Sequence, residues 1–141
     1  MQNHWQIYAL GSAFFAGLTA ILAKLGVAGI SSNVATFMRT LIVCLFLGLW
    51  IAARAEWVNP FTLNSKSLIF LILSGLATGI SWLLYFRALQ MGDASLVVSM
   101  DKLSLPFTVI LAAVFLGEQL GLRQWLGVAI MVIGSLLVAF K

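Results

Sequence analysis

Residues Asp93 to Glu118 read DASLVVSMDKLSLPFTVILAAVFLGE. The run is long and apolar enough for one membrane-spanning helix, and Asp101 and Lys102 lie side by side well inside it. An ionised side chain at the bilayer centre costs at least about 2.5–3.5 kcal/mol on insertion scales, so one retained there has a task or a partner. Eight residues at about 1.5 Å each place Asp101 roughly 12 Å from the start of the run. Half of a hydrocarbon core is about 15 Å, so the charged pair lies near the midplane. Pro106 follows four residues after Lys102. Proline has no amide hydrogen, and its ring crowds the carbonyl four residues back. A helix break, a freed backbone acceptor and two charges therefore fall at one depth.

The rest of the chain has the composition of a membrane protein. Its 141 residues are 62% hydrophobic and 9% charged, with a mean hydropathy of +1.10. Soluble domains average about 45–50% apolar and about 25% charged residues. The net charge of +4 comes from eight basic residues set singly between apolar runs. A nucleic-acid surface needs a basic cluster, so no nucleic-acid partner is expected. The lone Cys44 lies within an apolar run and reads as a small packing residue. The N-terminal MQNHWQIYAL has no Lys or Arg ahead of its apolar run. A cleaved signal would show a positive first region, so this run is expected to stay as a permanent helix. His4 and Trp5 suit the wet edge of the bilayer.

Hydropathy and stop signals predict an all-α membrane protein with five transmembrane helices, over residues 5–28, 34–53, 67–90, 94–117 and 123–140. Gly29 stops the first, and Ser31, Ser32 and Asn33 offer N-cap chemistry to the second. The Asn59-Pro60 step breaks the long polar connection between Arg54 and Lys66, where Trp57 and Phe61 suit the interface. Gly92 and Asp93 make a tight turn, glycine as helix stop and aspartate as N-cap. Gly117 and Glu118 close the fourth helix, with Glu118 expected to bind loop amides or Arg123. Gly75 and Gly79, four apart, and Gly127 and Gly134, seven apart, give smooth stripes for close helix packing. The spans use nearly the whole length, so residues 1–141 read as a single transmembrane domain with no soluble domain.

Several polar or aromatic side chains in the spans have both a bland and a functional reading. Lys24, a turn from the end of its helix, snorkels to the interface or lines a pathway. Arg39 lies deeper, from where it can still snorkel, but it is also the best-placed cation to pair with an acid in the bundle. Trp82 and Tyr85 are three apart and share a helix face, either as ordinary packing or as an aromatic wall for a substrate. Arg87 snorkels from a helix end. Asp101 and Lys102 point about 100° apart, so they do not bridge each other well. Asp101 either locks the bundle by pairing with Arg39 or Lys24, or exchanges protons or contacts substrate as a gate moves.

Five spans place the two termini on opposite sides of the membrane. An outside N-terminus would put Lys24, Arg39, Arg87 and Lys141 on cytoplasmic flanks; an inside one would put Arg54, Lys66 and Arg123 there. Orientation follows this bias, and the bias is almost nil. Two copies can then insert in opposite senses and pair antiparallel, generating the inverted symmetry of many transporters.

The second half carries a set of motifs. These are Tyr85, Ala88, Leu89 and Gly92 at a helix end, the Gly92-Asp93-Ala94-Ser95 turn, mid-helix Pro106, Phe115-Leu116-Gly117-Glu118, and Gly127, Ile130 or Met131, and Gly134. Together they resemble the EamA-type repeat of the drug/metabolite transporter superfamily, over about the last 60 residues; the first 65 resemble it in helix count. Most members carry two such repeats in inverted topology. This chain resembles the short five-helix bacterial branch, in which Asp-Lys-Leu-Ser stands where others are uncharged. The resemblance implies transport of a small metabolite or drug-like molecule across the cell (inner or plasma) membrane. A single repeat implies a homodimer in the lipid bilayer, working by alternating access. The rival classes are a dual-topology ion channel and a non-transporting assembly partner. An enzyme is not expected: no His/Asp/Cys grouping, phosphate loop or metal-ligand spacing is present, and no cofactor is implied.

Overall fold

The computed structural model describes residues 4–59 and 62–140; Pro60, Phe61 and Lys141, expected at a chain break, an interface and a flank, lie outside them. Among the described residues the regular structure is helical: α1 (His4–Gly26), α2 (Ser32–Ala53), α3 (Ser65–Met91), α4 (Ala94–Asp101), α5 (Ser104–Leu111) and α6 (Leu122–Ala139). A π-helical turn, Ala112–Leu116, follows α5. Five stretches are long and apolar enough to cross a membrane, and α4, α5 and the π turn form the fourth, Ala94–Leu116. The protein is therefore a multi-pass membrane protein, and its span limits match expectation to within two residues.

The helices satisfy their own polar groups, as lipid requires. Thr36, Thr40, Thr78, Ser99 and Thr108 each donate a hydroxyl hydrogen bond to the carbonyl four residues back, at 2.8–2.9 Å. Ser31 and Asp93 occupy the expected N-cap positions, with ψ of 134° and 138°, but neither side chain makes a cap hydrogen bond. Their carbonyls instead accept the first helical amides, from Ala35 and Val97 at 3.0 Å. A side-chain cap forms where none was expected: Asn64 Oδ1 accepts the Lys66 amide at 2.9 Å, at the start of α3.

The chain divides into two compact units, Ala23–Gln90 and the remainder on either side of it. In the Ala23–Gln90 unit the buried residues are Ala23, Val27, Ser32, Ala35, Thr36, Phe86 and Leu89. They come from the last turn of α1 and the residue just after it, the first turns of α2 and the last turns of α3. In the other unit, α4 and α5 pack on α6, and α5 continues into the π turn. A Cβ built at Gly75, Gly79, Gly127 or Gly134 meets nothing within 4 Å, so each smooth stripe stays open within its own unit.

Candidate functional site

The Ala23–Gln90 unit gathers cations and aromatic rings at one end. Arg39, half-buried on α2, places its guanidinium carbon 4.3 Å from the Trp82 ring centroid and 5.6 Å from that of Phe86. Trp82 and Phe86 are four apart on α3, so their rings stand one above the other on one face. Phe86 is 3% exposed, which fixes the base of this wall. Tyr85 meets Phe86 edge to face, with ring centroids 6.4 Å apart. Such a stack holds a cation electrostatically by about 0.5–2 kcal/mol.

Two hydrogen bonds close the same end. Lys24 Nζ donates to the Leu89 carbonyl at 2.6 Å, and Gln90 Nε2 donates to the Ile30 carbonyl at 2.8 Å. The ammonium thus reaches a carbonyl in the last turns of α3, which lack an intrahelical donor. Arg87 Nη1 receives a local partner, Gln90 Oε1, at 3.1 Å.

In the other unit, Asp101 ends α4 and Lys102 begins the break. Lys102 and Leu103 form a turn between α4 and α5. The physical reason lies in Pro106: without its amide hydrogen, the Lys102 carbonyl loses its helical donor. It accepts instead from the Leu105 amide at 3.1 Å, a tighter three-residue return. The fourth span is thus interrupted, as its proline predicts, and it yields four residues ahead of Pro106. Both Asp101 and Lys102 are exposed, and among the described residues of their unit neither forms an ion pair or side-chain hydrogen bond.

At the far end of that span the Ala112 carbonyl accepts the amides of both Gly117 and Glu118. Gly117 has φ of 68°, the left-handed conformation that glycine takes freely. The Glu118 carboxylate is exposed and makes no ion pair with Arg123. A shallow apolar groove runs beside this turn, lined by Thr108, Leu111, Ala112, Phe115 and Leu116.

The sequence-predicted site therefore falls in two parts. Arg39, Trp82, Tyr85 and Lys24 belong to one unit; Asp101, Lys102 and Pro106 belong to the other. Phe86 is the member sequence reasoning missed. Its four-residue spacing from Trp82 was the available signal.

The profile of the EamA-like transporter family matches residues 3–140. An uncharacterized transporter from the cobO 3′ region of Sinorhizobium sp is 49% identical over 139 residues, covering 99% of each chain. An uncharacterized protein of Methanocaldococcus jannaschii is 32% identical over 101 residues, 72% of this chain and 69% of that one. A probable 4-amino-4-deoxy-L-arabinose-phosphoundecaprenol flippase subunit ArnE of Yersinia pseudotuberculosis is 28% identical over 111 residues, 78% of this chain and 97% of that one. No solved structure matches the chain.

Proposed function

The chain belongs to the EamA-like transporter family, and on that premise we propose that it moves small molecules across the inner or plasma membrane as an antiparallel homodimer, by alternating access. The observation that carries this reading is the break in the fourth span at Lys102 and Leu103. Interrupted helices with polar groups near the midplane are where secondary transporters bind and move their cargo. Asp101 and Lys102 stand at that break, and Asp101 is the acid that exchanges a proton or meets the cargo as the span flexes. The near-balance of flanking cations supports insertion in both senses. The open glycine stripes on α3 and α6 offer faces for a second copy.

A second reading follows from one relative. The match to the flippase subunit spans 97% of that chain, so this chain also fits the role of one subunit beside a different protein. Topology reporters fused to the C-terminus, read together with co-purification of two differently tagged copies, decide between them. The homodimer predicts reporters on both sides of the membrane and copies that co-purify. Reporters that all read one side, with tagged copies that never co-purify, remove the antiparallel homodimer.

A further inference from the structure

Arg39 stands out electrostatically within the Ala23–Gln90 unit. The unit holds five cations, Lys24, Arg39, Arg54, Lys66 and Arg87, and one acid, Glu56. Glu56 is already engaged, with its Oε1 3.8 Å from Arg54 Nε. Arg39 lies seven residues inside α2, roughly 10 Å from its start by helix rise. A guanidinium at such depth is costly unless its donors are met. The contacts with Trp82 and Phe86 place the group over ring faces, which offer it no oxygen or nitrogen acceptor. Its five N–H donors form a planar fork, and neither ring satisfies them as a hydrogen-bond acceptor would. Arg39 makes no hydrogen bond or ion pair among the described residues, and none of its nitrogens is sealed from contact. Fixed orientation, an aromatic floor and an accessible donor edge are the elements of an anion clamp.

We infer that Arg39, held on Trp82 and Phe86, is a binding subsite for an oxyanion, a phosphate or carboxylate group gripped by two parallel N–H donors. The inference rests on the transport reading in one respect, that the anion is part of the cargo. The same chemistry can arrive on a soluble molecule or on a lipid headgroup. Arg54 gives an internal comparison, since its guanidinium carbon lies 5.4 Å from the Trp50 ring at an exposed helix end, already beside Glu56.

The test uses the full chain in uncharged detergent micelles, with thermal midpoint and tryptophan emission as readouts. The probes are inorganic phosphate, acetate and dihexanoyl phosphatidic acid, with dihexanoyl phosphatidylcholine as the zwitterionic comparison. A saturable rise in midpoint is expected for at least one of the three anions, because a ligand of the folded state stabilises it by mass action. Arg39→Gln weakens that response at least about tenfold, the loss of one charge-assisted contact. Arg39→Lys keeps the charge without the fork and gives an intermediate affinity, whereas Arg54→Gln leaves the response unchanged. Response to phosphatidic acid alone assigns the anion to a lipid; response to inorganic phosphate or acetate assigns it to a soluble molecule. No saturable response to any of the three anions overturns the inference, as does a response that both Arg39 variants retain in full. A chain that binds the anion but fails to move it across liposomes keeps the subsite and loses the cargo reading.

Discussion

Ala55 has φ of 54°, the one non-glycine residue in the left-handed region among those described. It stands just past α2, where the Ala55 amide donates to the Ala52 carbonyl and the Glu56 amide to that of Ile51, both at 3.1 Å. This pair of bonds is the Schellman ending, which favours glycine at the left-handed position. Alanine there carries a cost of about 1–2 kcal/mol. Ala55→Gly should therefore stabilise the protein by about 1 kcal/mol, read as a higher thermal midpoint in detergent, and an unchanged or lower midpoint would contradict the strain. The signal was not legible beforehand, because Ala55 sits in an unremarkable polar segment. The residues that were legible, Arg39 and Trp82, announced themselves by charge and size in an apolar run. Lys24 was legible as a cation but not as a donor to Leu89, since that contact joins residues 65 positions apart.

Among the elements, the break in the fourth span was the more legible feature and the π turn the less. Pro106 locates the break through a local rule, the crowding of the carbonyl four residues back. Pro106→Ala restores an amide for the Lys102 carbonyl and should join α4 and α5 into one helix. Hydrogen exchange of the amides at 103, 104, 105 and 107 then slows at least about tenfold, since proline costs a helix interior about 3 kcal/mol relative to alanine. Transport that depends on flexing at this point slows with it. Unaltered exchange would show that another contact, not the proline, holds the break open. The π turn depends on Gly117 turning left-handed so that two amides converge on Ala112, and the apolar pattern of AAVFL carries no mark of that.

At the scale of the whole molecule, the question is how charge inside the bilayer serves movement. Carboxylates take up protons when desolvated and release them beside a cation, so alternating surroundings can couple proton flow to cargo. Asp101→Asn should insert and fold as the parent does, yet lose the dependence of flux on a pH gradient in liposomes. A folded variant that still responds to the gradient would remove Asp101 from the coupling. The amino-acid sequence by itself determined the membrane-spanning class, the number and limits of the five spans and the place of the break in the fourth. Each of these follows from local hydropathy, helix rise and proline chemistry, which act within a few residues. Only the tertiary structure decided that Arg39 lies on Trp82 and Phe86, and that Lys24 reaches Leu89. It also showed that the glycine stripes stay uncovered within their own units. In lipid every helix is equally apolar outside, so hydropathy does not rank one face above another; helix partners are chosen by side-chain packing and a few polar contacts between distant residues.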